Sequence, residues 1–217
     1  MSLSKTAAGL GVSAIAALLL AGCGNAPDAA RDAVNAPPLS KSGYPIGAVY
    51  SEFVKVCDDL TSNKQVYDIA RKQGWVIEPT LDPAIEPLVK LLDGLNFDAS
   101  TDVTAVPPMA KNVEKEKLFL LITDTKRSGQ QRIECHMFDP GETRSVYAED
   151  ISVRLGREPV EERKGEAGGN ATWVPGLEPD HVEFTMGFGQ RDKIKSKMNA
   201  MGGLMLTAAK NHTLKAN

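Results

Sequence analysis

The hydrophobic period of this chain changes once, and that change limits the folds open to it. Before residue 94 apolar residues recur at intervals of three and four: Ile46, Val49, Tyr50, Phe53, Val56, Cys57 and Leu60 share one face of a helix entered through Tyr44-Pro45. A second helix is expected from Asn63, a good N-cap, through Val66, Ile69 and Ala70 to Gly74, placed as a C-terminal cap glycine. Pro87 suits the first turn of a third, which carries Leu88, Val89, Leu91 and Leu92 and stops at Asp93-Gly94. From Leu118 onward the pattern becomes continuous or alternating. Residues 118–124 and 130–138 flank Lys126-Arg127-Ser128-Gly129 as an antiparallel hairpin. Residues 171–174, 181–188 and 203–209 read as three further strands, Trp75-Val76-Ile77 as a short early one, and 146–155 as a helix with Tyr147, Ile151 and Leu155 four apart, although Ile151-Ser152-Val153 also alternates like a strand. Residues 95–117, interrupted by Pro107-Pro108, and the charged stretch 156–170 read as irregular chain and exposed loop. Helices first and adjacent strands afterwards predict an α+β fold: an antiparallel sheet of about five strands with the N-terminal helices packed on one face.

The N-terminus carries a different signal. Lys5 precedes an apolar run from Ala7 to Ala21, shorter than the roughly 20 residues that span a bilayer but the right size for the core of a signal peptide. The run ends in Leu20-Ala21-Gly22-Cys23, which resembles the lipobox of bacterial lipoproteins. That resemblance implies cleavage before Cys23, lipid modification of its thiol, and membrane attachment through the acyl chains. Gly24 rather than an aspartate after the cysteine points, by the same resemblance, to the outer membrane of a Gram-negative envelope, with the domain facing the periplasm.

Removing residues 1–22 from the 217 leaves 195, enough for one domain with a substantial core. Without Lys5 the balance is 24 basic against 28 acidic residues, and no concentration of positive charge of the kind nucleic-acid binders carry is evident. Residues 24–43 are rich in Ala, Asn, Asp and Pro, with only Val34 and Leu39 as larger apolar groups. Such a stretch cannot offset the entropy of ordering, and as a flexible chain would average about 25 Å end to end. The expected organisation is therefore a signal peptide (1–22), a lipidated cysteine and flexible tether (23–43) and one globular domain (44–217).

With Cys23 taken by lipid, Cys57 and Cys135 remain as an even pair in an oxidising compartment, where a disulfide is expected to form and persist. The alternative is two buried free thiols acting as small hydrophobes. If bonded, Cys135 must face the helix-covered side of the sheet with Ile133 and Met137, while Arg132, Glu134, His136 and Phe138 face away. Cys135-His136 would then diverge, which argues against a Cys–His nucleophile. The three histidines, His136, His181 and His212, show no metal-ligand spacing, and no hydrolase elbow or phosphate loop is present in the mature chain. No cofactor is expected. Arg191, Lys193, Lys195 and Lys197 alternate with other residues, so that an extended segment would set four cations on one side. That is either a patch for anionic lipid, acidic glycan or a partner protein's acidic face, or a charged strand connection that prevents sheet-to-sheet aggregation. The expectation is a lipid-anchored accessory or binding module; the alternative is a small envelope enzyme whose site is assembled from dispersed residues.

Overall fold

The computed structural model describes residues 36–93, 101–105, 107–190, 193 and 202–214. Helices α1 (Ile46–Cys57) and α2 (Asn63–Lys72) come first, then β1 (Val76–Ile77), α3 (Glu86–Asp93), β2 (Thr101–Ala105), β3 (Met109–Val113), β4 (Glu116–Arg127), β5 (Gln130–Asp139), α4 (Ala148–Leu155), β6 (Glu161–Gly165), β7 (Gly168–Trp173), β8 (Glu183–Gly189) and β9 (Gly203–Thr213). The strands form one antiparallel sheet in the order β1-β3-β4-β5-β9-β8-β7-β6, with β2 lying beside β4. The fold is thus mixed α+β, as its change of period implies, but the sheet has nine strands rather than about five. No helix among the described residues is long and apolar enough to cross a membrane.

The strands that were not anticipated have physical reasons for their silence. β6, Glu-Glu-Arg-Lys-Gly, is the sheet's edge and is exposed at every position, so no apolar alternation marks it. β2 and β3 run in line along one edge of β4, pairing with residues 123–127 and 116–120 respectively. Pro107-Pro108 falls at the break between them, where no ladder donor is needed. The β4–β5 hairpin closes as expected through Ser128 and Gly129, both at positive φ, as a tight two-residue turn requires.

Capping follows the sequence closely, with one shift. Ser62, not Asn63, caps α2, its hydroxyl accepting the Gln65 N–H at 3.1 Å, and Asn63 is the first helical residue. Gly74, at φ +85°, ends that helix in the left-handed conformation.

The core lies between α1, α2 and α4 and one face of the sheet. Val49, Phe53, Val56 and Leu60 of the first helical segment are buried against Leu120, Ile122, Ile133 and Met137. Phe184 on β8 stacks within 5.5 Å of Phe53 and 5.3 Å of Trp173, tying α1 to the far half of the sheet. The helices are not confined to that face. Ile85 and Leu88, at the start of α3, pack on the opposite one with Ala110, Phe119, Leu121 and Phe138. The apolar stripe of α3 shows which side of the helix is buried, not which face of the sheet receives it.

Cys57 and Cys135 form a disulfide, with Cα atoms 5.6 Å apart. Ile133 and Met137 share the face of Cys135 in the main core, while Phe138 belongs to the opposite cluster, so the polarity read from the strand holds. Residues 37–43, which composition assigns to the tether, are built into the domain. Pro37 and Pro38 offer their carbonyls to the Arg154 guanidinium and the Gly47 N–H, Ser42 donates to the Ser145 carbonyl, and Ser40 is buried. Residues 37–43 therefore belong to the domain as an arm between α1 and α4. The carbonyls of Pro37 and Gly43 meet Arg154 and Arg144, each more than 100 positions away in the chain.

Candidate functional site

A cleft of about 260 Å³ opens between the start of α4, the β6–β7 hairpin and the end of β8. Each wall follows from local chemistry. Tyr147 precedes α4, and its N–H is held by the Asp150 carboxylate at 3.0 Å, which fixes the entry of the chain into the helix. Gly168 sits at φ +144°, and a Cβ there would meet the Phe188 carbonyl at 2.0 Å, so only glycine lets β7 approach β8 this closely. Gln190 then joins the walls: its N–H donates to the Ala167 carbonyl at 2.7 Å, and its side-chain amide reaches Ser145 at 3.4 Å.

The floor is apolar, with Val146, Ala148, Met186 and Phe188; the mouth carries Glu162, Lys164, Glu166 and Lys193. Lys164 is shared between Glu162 at 3.0 Å and Glu149 at 3.2 Å. The Lys193 ammonium has no acidic partner among the described residues. The Lys193 backbone N–H donates to the Gln190 carbonyl at 3.0 Å. The Gln190 Oε1 is buried and has no hydrogen-bond partner among the described residues. An apolar floor with a few convergent polar groups is what small-ligand sites are made of.

Of the four cations read as a stripe, Lys193 stands at this mouth, while Arg191, Lys195 and Lys197 lie outside the described residues, as does Cys23. Nothing in the sequence points to the cleft, because its walls come from three segments 14 or more residues apart that are joined by one glutamine.

The histidines do not line it. His136 is buried on the second face of the sheet, with Nδ1 3.0 Å from the Thr207 hydroxyl and Nε2 3.8 Å from Glu134. Burial holds its pKa below the ordinary range against the pull of Glu134. His181 is buried just before β8, and burial likewise lowers its pKa. His212 meets the Leu60 carbonyl at 2.7 Å. A histidine beside a carboxylate in a concave pocket would favour an enzyme; the cleft has the concavity without the histidine.

One cluster was missed entirely. Glu116, Asp139 and Glu142 bring carboxylate oxygens within 4.8 Å of one another, a spacing that could hold a cation. A guanidinium already stands there: Arg144 reaches Glu116 at 2.5 Å and Glu142 at 2.6 Å. Asp139 accepts from the Tyr44 hydroxyl at 3.0 Å, and burial, reinforced by Glu116 and Glu142, pushes its pKa up to about 6. The cluster fastens the arm to the ends of β4 and β5.

Comparison of the chain with protein-family models, curated proteins and solved structures finds no match.

Proposed function

We propose that the mature chain is a lipid-anchored domain of the bacterial cell envelope, facing the periplasm from the outer membrane, and that it binds an anionic ligand at the cleft beside Lys193 rather than catalysing a reaction. The cleft carries this reading. Among the described residues it pairs an ammonium without an acidic partner at its mouth with a buried, unsatisfied acceptor at Gln190 and an apolar floor, so a ligand with an acidic group, a hydrogen-bond donor and a small apolar part would satisfy all three. The Cys57–Cys135 disulfide supports export, since such bonds persist in oxidising compartments and are rare elsewhere. Acidic glycan and anionic lipid headgroups are the envelope materials that carry the required charge.

Two experiments test the two halves of the proposal. Replacing Cys23 by Ser should abolish acylation and processing by the lipoprotein peptidase, and mass analysis of the wild-type N-terminal peptide should show acyl chains on Cys23. A mature N-terminus elsewhere, or one without acyl mass, removes the anchor. For the ligand, reversing Lys193, Lys195 and Lys197 to Glu should weaken binding at least about tenfold at low salt, with the loss shrinking as salt rises. Anionic vesicles and soluble acidic glycan, titrated separately, distinguish the two sources. Equal binding by variant and wild type in both titrations would exclude the anionic reading.

A further inference from the structure

The exposed residues of the arm and α4 are mostly apolar, with Lys41 and Glu149 the charged exceptions. Leu39 on the arm is 51% exposed, and Tyr147 and Val153 on the outer side of α4 are each 43% exposed. Pro37 and Pro38 beside them are also exposed. The two elements are held together: Arg154 of α4 donates to the Pro37 carbonyl, Ser42 of the arm to the Ser145 carbonyl, and Lys41 lies within electrostatic reach of Glu149 and Asp150. The acids on this ridge are compensated, Glu149 by Lys164 at 3.2 Å and Asp150 by the Tyr147 N–H at 3.0 Å. What remains on the ridge is an apolar contact surface with little net charge.

The short distance in sequence from this surface to Cys23 says what covers it. The described chain begins at Ala36, on this same arm, and the residues between it and Cys23 are the twelve from Gly24 to Asn35. Even fully extended, twelve residues reach at most about 40 Å, on the order of the diameter of a domain this size. An acyl chain on Cys23 therefore keeps the arm and α4 beside the bilayer at high effective concentration, where a modest apolar patch suffices for contact.

We infer that the arm–α4 surface, centred on Leu39, Tyr147 and Val153, rests on the lipid bilayer that holds the anchor, so that the domain is docked rather than floating on its tether. The inference rests on the lipid-anchor reading. It sets the cleft, which shares Tyr147 and Ala148 with this surface, at the edge of the membrane contact.

The test uses the full lipoprotein in vesicles of phosphatidylethanolamine and phosphatidylglycerol that contain nitroxide-labelled lipid. A fluorophore is placed on Val153→Cys or, as a control, on Val76→Cys in the edge strand β1 at the other end of the sheet, where Val76 is 63% exposed. Both sites are on the surface, so folding is preserved, and the native Cys57–Cys135 pair is closed to the label. Quenching at position 153 should exceed that at 76 by about twofold or more, as expected for a side chain at the interface, and adding Leu39→Glu with Tyr147→Ser should remove the excess. The intact mass of the same sample reports acylation. Acylated protein quenched equally at both positions overturns the docking and leaves the anchor standing, whereas absence of acyl mass overturns the anchor and the docking with it.

Discussion

Replacing both Cys57 and Cys135 by alanine should lower the unfolding free energy by about 4 to 5 kcal/mol, the chain-entropy value for a closed loop of this length. The bond links residues separated by 78 positions, joining the end of the first helix to the middle of a central strand. Without it the unfolded chain regains the freedom that the loop removes, and α1 is held to the sheet by packing and by the Glu52–Lys111 ion pair. Against the 5 to 15 kcal/mol typical of whole domains, the loss would leave a marginal protein. Urea titrations of the oxidised wild type and the double alanine variant measure it directly. Alanine is the appropriate replacement because both cysteines are fully buried, and serine would add the separate cost of an unsatisfied hydroxyl. Midpoints that coincide would mean that the bond contributes nothing. The same burial predicts that a mild reductant leaves the bond closed in the native state and opens it only once the protein unfolds, since exchange requires access to a sulfur.

That bond was legible in the sequence because two local patterns met. Cys57 belongs to an apolar helical stripe and Cys135 to a strand whose neighbours on one face, Ile133 and Met137, are apolar. Local periodicity was enough to place α1, α2, α4 and the β4–β5 hairpin, since each depends on residues within a few positions of one another. Where the determinant was distant, the sequence was silent. Pro37 and Pro38 read as tether because composition does not show that Arg154 and Gly47, on two helices, donate to their carbonyls. Glu52 interrupts the buried face of α1 without any local sign of its partners, Trp75 Nε1 at 2.9 Å and Lys111 at 2.6 Å. β6 could not be seen because an edge strand pairs on one side only and needs no apolar face. The cleft follows the same rule: Gly168, Gln190 and Tyr147 acquire meaning only once β7 lies against β8 and α4 covers their end.

Replacing Arg144 by Met should destabilise the protein by about 3 kcal/mol at pH 7.5, the low end for breaking a buried ion pair because the arginine is partly open to solvent. The guanidinium bonds Glu116 and Glu142 and also donates to the Gly43 carbonyl at 3.2 Å. Its removal leaves three carboxylates within 4.8 Å of one another, and the Glu142 side chain is only 1% exposed. Like charges this close cannot all stay ionised, so protonation relieves the variant. The wild type already shows the direction. The pKa of Asp139 is raised from its ordinary value to about 6, chiefly by burial, so the folded state binds a proton that the unfolded state releases. The stability Asp139 contributes is therefore complete below about pH 4 and is lost as pH rises through about 6. In the variant the same loss should be larger, because Glu116 and Glu142 no longer have a cation. The gap between variant and wild type should thus narrow as pH falls from 7.5 to 4.5 in urea titrations. A gap that stays constant would assign the effect to lost packing of the arginine stem on the Tyr44 ring, 5.2 Å from the guanidinium carbon. Arg144→Lys should recover only part of the loss, since one ammonium cannot span two carboxylates as the planar fork does. Because Arg144 and the Tyr44–Asp139 bond hold the arm, the Met variant should also be cut faster by trypsin after the exposed Lys41, which ties this charge cluster to the seating of residues 37–43 on the domain.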